Sequence, residues 1–165
     1  MQMKTGVEQA VYALLLLSLL PDKAVLPGEA IGSRLGGSPT YMQKLLRRLV
    51  DAGLVQSSPG AKGGFRLKRE PQAITVYDVY LAVEGRQSLF APRGTLEDML
   101  ERPRKEGCSC RLSGLMDEAE ASWRSILGRE TIASLADSMC GGEYREEMNG
   151  LRLWVNNRSR KDEIA

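Results

Sequence analysis

A mainly α-helical fold with one small β-hairpin is what the sequence predicts, on three observations. Apolar residues recur at three- and four-residue spacing along much of the chain, first over residues 5–20 and again from residue 111. One stretch, residues 54–68, instead reads as two short strands around a glycine-rich turn, Pro59-Gly60-Ala61-Lys62-Gly63-Gly64. Just before it, two short helical patterns are separated by Gly36-Gly37, and the second is apolar on one face and basic on the other. The 165 residues suffice for one compact unit plus an added helical element.

The first helix is read over residues 5–20. Thr5 and Glu8 have capping-box spacing, and Val7, Ala10, Val11, Leu14, Leu15 and Ser18 share a face. Leu16, Leu17, Leu19 and Leu20 broaden the apolar stripe, so burial on more than one side is expected, and Pro21-Asp22 ends the helix. A short second helix starts near Pro27 with Glu29 in its first turn, turning Ala30, Ile31 and Leu35 inward. Ser38 then reads as an N-cap with Pro39 at the first position of a third helix reaching about residue 52. Its apolar face is Met42, Leu45, Leu46, Leu49 and Val50. Thr40, Gln43, Lys44, Arg47 and Arg48 lie opposite, and Gly53 closes it.

A hairpin directly behind such a helix pair is the pattern of a winged helix-turn-helix, with Lys62 at the wing tip and glycines supplying the backbone freedom of the turn. Residues 74–85 read as a fourth helix, with Thr75 and Asp78 at capping-box distance and Val76, Val79, Tyr80 and Val83 facing the first helix. Residues 86–110 lack periodicity apart from a short helix over 95–101. From Arg111 a long amphipathic pattern resumes through Leu112, Leu115, Met116, Ala119, Trp123 and Ile126, interrupted at Gly128 and continuing over 131–139. Such a helix lies beyond an already complete small domain, and pairing with its twin would bury it, so those six positions are the expected homodimer face. The expected organisation is therefore a DNA-binding domain at 1–85, a variable sensor loop at 86–110, a dimerisation helix at 111–140 and a loosely held polar tail at 141–165, in which Leu151, Leu153 and Trp154 are the residues able to dock.

Charge supports a polyanion partner. Residues 1–70 carry 10 Lys and Arg against 5 Asp and Glu, a net +5, whereas residues 71–165 carry 13 against 16, a net −3. The basic half coincides with the helix pair and hairpin, which points to double-stranded DNA. No membrane partner is expected, because the apolar run over residues 13–20 is far shorter than the roughly 20 residues a span needs. The pattern of Glu8 before that run and Pro21-Asp22 after it is unlike a secretory signal. Three cysteines without framework spacing fit a reducing cytoplasm. An enzyme is not expected: there is no histidine and no nucleophile motif, and the glycines at 60–64 sit in a hairpin rather than between strand and helix.

An ordered set of segments resembles the Rrf2 family of winged-helix transcriptional regulators, which includes the iron–sulfur cluster regulator, a nitric-oxide-sensing repressor and a cysteine-metabolism repressor. The segments are Gln9-Ala-Val-Tyr-Ala-Leu, Ser38-Pro-Thr-Tyr-Met-Gln-Lys-Leu-Leu, Asp51-Ala-Gly-Leu-Val, Gly60-Ala-Lys-Gly-Gly-Phe-Arg-Leu and Ile74-Thr-Val-Tyr-Asp-Val with Ala82-Val-Glu-Gly after it. They cover about residues 3–85. The resemblance implies DNA reading by Ser38, Thr40, Tyr41, Gln43, Lys44 and Arg47. Chemistry agrees: hydroxyls at a helix N-terminus suit phosphate oxygens, and Gln and Lys suit base edges in the major groove. Tyr41 is expected to lie half-buried with its hydroxyl toward a phosphate. The chain departs from many members in carrying Pro59 where they place an arginine, so Lys62 is the candidate basic residue of the wing.

The resemblance also raises an iron–sulfur cluster, which sensing members hold with three closely spaced cysteines before the long helix. Here Cys108 and Cys110 fall in that stretch, while Cys140 is 30 positions beyond Cys110. Two thiolates do not make up the usual four ligands, so no cofactor or metal site is the leading expectation and a cluster the secondary one. A thiol-based redox switch at Cys108 and Cys110, with Arg104, Lys105 and Arg111 lowering a thiol pKa, stands beside it, as does the reading that these cysteines have no sensing role. For the whole molecule the expectation is a cytoplasmic homodimeric repressor on a palindromic operator. The alternative is a winged-helix protein-interaction module without specific DNA binding.

Overall fold

The broad apolar stripe of the first segment becomes the central helix. In the computed structural model, which describes residues 5–88, 90–103 and 110–161, α1 (Thr5–Ser18) buries Val7, Ala10, Ala13 and the run Leu14 to Leu17. A helix apolar nearly all round must have neighbours nearly all round, and the second, third, fourth and seventh helices and the second strand of the hairpin all pack on α1. Thr5 lies inside the helix rather than capping it. The end also falls two residues early, because the amides of Leu19 and Leu20 bond the carbonyls three residues back at 3.2 and 3.3 Å and so tighten the last turn.

The helix pair forms as its punctuation dictates. α2 (Gly28–Leu35) starts after Pro27 and stops at Gly36. In α3 (Pro39–Asp51) the Ser38 Oγ accepts the amide of Tyr41 at 3.3 Å, and Met42, Leu45, Leu46 and Leu49 are buried. The wing follows as β2 (Val55–Ser58) and β3 (Gly64–Leu67), antiparallel with Ser58 opposite Gly64 and Val55 opposite Leu67. A two-residue strand ahead of α2, β1 (Ala24–Val25), was not expected. The residue after it, Leu26, exchanges both backbone hydrogen bonds with Phe65 at 2.9 Å, which joins this strand segment to the wing. Gly64 permits that approach: a Cβ there would lie 2.7 Å from the Leu26 carbonyl oxygen.

A 3₁₀ turn (Pro71–Ala73) leads into α4 (Val76–Glu84), whose capping box is complete: the Asp78 amide donates to Thr75 Oγ1 at 3.0 Å and the Thr75 amide to Asp78 Oδ2 at 2.9 Å. α5 (Thr95–Met99) is the short helix of the loop region.

Two expectations for the C-terminal half are corrected. The span 111–140 is two helices, α6 (Arg111–Arg129) and α7 (Ile132–Gly141). The break falls at Glu130-Thr131 rather than at Gly128, because Thr131 is extended and makes its own capping box with Ser134 at 2.9 and 3.0 Å. The Val76 amide bonds the Glu130 carbonyl at 2.9 Å and the Ile132 amide the Ile74 carbonyl at 3.0 Å, so α7 docks on the N-terminal unit and Ile132 is fully buried in its core. The second correction concerns residues 141–165. Over its described part this polar tail is a docked helix, α8 (Arg145–Arg158), followed by a short strand, β4 (Arg160–Lys161). Met148 and Val155 are buried, and Leu151 and Trp154 pack against the core, while Leu153 stays exposed. Apolar residues at 148, 151 and 155 have helical spacing, but the charges between them dilute the signal. β4 pairs antiparallel with β1, Val25 opposite Arg160 and Ala24 opposite Lys161.

Candidate nucleic-acid interface

The exposed side of α3 gathers what the sequence put there. Thr40, Gln43, Lys44 and Arg47 are all exposed, at positions that share one helical face. Ser38 sits at the N-terminus of that face, its Oγ occupied as an acceptor by the cap while its O–H is left to donate outward. The amides of the first turn give this end its partial positive charge. Tyr41 is 43% exposed, and its ring lies back toward α1 with the hydroxyl end over Gly6. Any side chain at position 6 would collide with that hydroxyl. Arg48, one residue past Arg47, is turned away from the reading face: its guanidinium donates to the Val83 carbonyl at 2.7 Å and ties α3 to the end of α4.

The wing carries Lys62 exposed in its tip. Gln56 and Arg66, opposite each other, are linked across the hairpin at 3.5 Å. An unanticipated contact holds the tip: the Arg160 guanidinium donates to the Ala61 carbonyl at 2.6 Å. Reading the sequence in order hid this partnership, since 99 positions separate the two residues.

The candidate sensor residues divide. Cys108 lies outside the described residues, as do Arg104 and Lys105. Cys110 is the N-cap of α6: its Sγ accepts the Ser113 amide at 3.4 Å and lies 3.3 Å from the Ser113 hydroxyl. Those two hydrogen bonds pull its thiol pKa below the ordinary value, the hydroxyl most, while desolvation and Glu97 work against them. Arg111, expected to share in that effect, is not among its causes. Cys110 borders a cavity of about 410 Å³ lined by Phe90, Pro92, Arg93, Thr95 and Leu96. Cys140 sits in α7 instead, 3.9 Å from the Arg152 guanidinium. Among the described residues no three His, Cys, Asp or Glu side chains come together as a metal site, so the described donors do not fit a cluster.

On α6 the six expected dimer positions face two ways. Leu112, Leu115 and Ile126 are 53, 52 and 49% exposed, and Ala119 is exposed with them. Met116 and Trp123 are half-buried, and Trp123 stands edge-on to Tyr80 and Tyr77 of its own α4, with ring centroids 4.6 and 6.1 Å away. No helix among the described residues is long and apolar enough to cross a membrane.

Comparison with known proteins agrees with this architecture. The family model described as Rrf2, iron-dependent transcriptional regulator, matches residues 3–138. YwgB of Bacillus subtilis, a candidate HTH-type transcriptional regulator, is 47% identical over 137 residues, 83% of this chain and 85% of that protein. The HTH-type transcriptional regulator CymR of Bacillus subtilis is 36% identical over 111 residues, 67% of this chain and 71% of its own length. Among solved structures, that of CymR, the global cysteine regulator of B. subtilis, superposes with a TM-score of 0.61 at 22% identity over 83% of this chain and 97% of the other, which speaks for the fold. IscR of T. potens gives 0.58 at 25% over 83% and 87%. Helix pair, glycine-tipped wing, capped fourth helix and sequence relationship thus agree: the chain is a winged helix-turn-helix transcriptional regulator, not an enzyme, and belongs to the Rrf2 family.

Proposed function

We propose that this regulator is a cytoplasmic homodimeric repressor that reads a palindromic operator with α3 and answers to the state of its Cys110 thiol. The observation that carries the reading is the exposed, hydroxyl- and cation-bearing face of α3, kept clear by a core that takes every apolar side of the same helix. In this reading Gln43, Lys44 and Arg47 meet base edges and phosphates in the major groove, and Ser38, Thr40 and the Tyr41 hydroxyl hold the backbone. Lys62 contacts the flanking backbone or minor groove. Two copies joined along Leu112, Leu115, Ala119 and Ile126 carry their α3 helices to half-sites about one helical turn apart.

The thiol part rests on Cys110 capping α6 beside a cavity. Attack of the Cys110 thiolate on a hydroperoxide, which breaks the O–O bond and leaves a sulfenic acid and hydroxide, changes the capping sulfur and disturbs α6, which packs through Trp123 on α4, whose end Arg48 ties to α3. No step runs through an iron–sulfur cluster, and protein purified without oxygen is expected to be colourless with substoichiometric iron.

Titration of the full-length protein against the duplex upstream of its own gene tests the DNA reading. Gln43→Ala and Lys44→Ala are each expected to weaken specific binding by about 1–3 kcal/mol. Both variants holding that duplex as tightly as wild type sinks the docking. Retardation of every duplex alike, weakly, favours the interaction-module alternative.

A further inference from the structure

We infer that the C-terminal segment is an additional DNA-contacting element, in which Arg158, Arg160 and Lys161 bind backbone phosphates beside the wing. The inference rests on the DNA-binding reading above and extends it to residues past 138, where the family match ends. By charge count these residues belong to the acidic half of the chain. The fold moves them to the basic half.

Backbone pairing fixes their place. β4 lies along β1, and Leu26, the next residue of that strand segment, is bridged to Phe65 of the wing, so the segment and the wing hang on one set of hydrogen bonds. Arg160 reaches the tip itself at the Ala61 carbonyl, and that bond uses one of the five donors of a guanidinium. Beside it Arg34, Arg158 and Arg160 line one open cavity of about 330 Å³, with Trp154 under the Arg34 guanidinium at 5.2 Å and Glu29 the one acidic residue of the lining among the described residues. Three arginines around one hollow repel one another, and a single carboxylate does not balance them. An anion does, and arginine forks match phosphate oxygens. Arg34 lies in α2, two residues ahead of the Gly36-Gly37 turn that leads to the α3 N-cap, and Arg160 is bonded to the wing tip, so the hollow is lined by the helix that precedes the reading helix and by a residue that reaches the wing. A duplex seated on α3 and the wing offers its flanking phosphates there.

The test is the salt dependence of binding. Each phosphate contact contributes about 0.9 to the slope of log K against log salt. Full-length wild type and Arg158→Gln/Arg160→Gln/Lys161→Gln are titrated with the upstream duplex and with a random duplex of similar length. The expected result is a slope shallower by about 2–3 in the triple variant on both duplexes, and affinity lower by roughly tenfold or more at low salt. Weaker binding with an unchanged slope overturns the proposal, since a segment that only braces the wing behaves that way. Unchanged affinity also overturns it. Arg158→Gln alone, which leaves the Arg160 bond to the wing intact, is expected to lower the slope by about 1 and serves if circular dichroism finds the triple variant unfolded; no change then sinks the idea. Wild type that binds neither duplex refutes the DNA reading itself. Loss of affinity in Lys44→Ala beside an unaltered triple variant refutes the C-terminal contact alone.

Discussion

Cys110 caps a helix with sulfur: its Sγ accepts the Ser113 amide at the α6 N-terminus, and this bond together with the Ser113 hydroxyl holds its thiol pKa down. A lowered pKa means more thiolate at a given pH, so the inflection of its alkylation rate by iodoacetamide is expected at lower pH than that of an ordinary thiol. Following the site by mass spectrometry separates it from the other two cysteines. Ser113→Ala removes the hydroxyl, the larger cause, and is expected to move the inflection up. An inflection that stays in place in this variant contradicts the assigned cause. The sequence pointed to Cys110 through its spacing from Cys108, but of the flanking basic residues it named, Arg104, Lys105 and Arg111, the first two lie outside the described residues and the third is not among the perturbing groups. Which group touches a sulfur is a matter of rotamer and helix phase, and residue order does not carry it. Tyr41 makes the same point: its half-exposure was legible, but its rest over Gly6 depended on where α1 passes.

At the scale of elements, those with strong local signals formed where expected. The α3 helix carries its start in Ser38-Pro39 and its buried side in four apolar positions, so its reading face follows by subtraction. The α4 capping box is equally local, and Thr75→Ala is expected to destabilise the protein by about 1 kcal/mol, read as a shift in the urea midpoint with an unchanged slope. A variant as stable as wild type would mean that the Thr131 bridge beside it, not the cap, holds this end of the helix. β1 and β4 had no local signal: two-residue strands have no periodicity to detect, and only their pairing makes them strands. The helix break after Arg129 was misplaced for a related reason. Gly128 looks like a breaker, yet the chain turns where Thr131 finds Ser134 and the Thr75 backbone.

At the scale of the whole molecule, the described residues leave an apolar strip of α6 exposed. Along α6, Trp123 is spent on α4, while Leu112, Leu115 and Ile126 remain about half exposed. Burying them against a second copy is favourable at about 25 cal/mol per Å², and a two-fold interface uses each residue twice. Leu115→Glu is therefore expected to shift sedimentation toward a monomer and to lower operator affinity along with it. A dimer that survives both this change and Ile126→Glu places the interface elsewhere. The assembled surface also redraws the charge map, since Arg160 reaches the wing tip and Lys161 pairs with Ala24, both in the basic half of the sequence.

By itself the sequence determined the fold class, the helix pair and its wing, the caps at Ser38 and Thr75, and the residues presented by α3. All of these follow from spacings of a few residues that the backbone period converts directly into faces and ends. Tertiary structure alone decided the docking of α7 and α8, the pairing of β4 with β1, the Arg160 hold on the wing and the division of the α6 stripe between its own core and the open side. Those are meetings of residues tens of positions apart, selected by burial and backbone pairing across the folded core, where distance along the chain says nothing about distance in space.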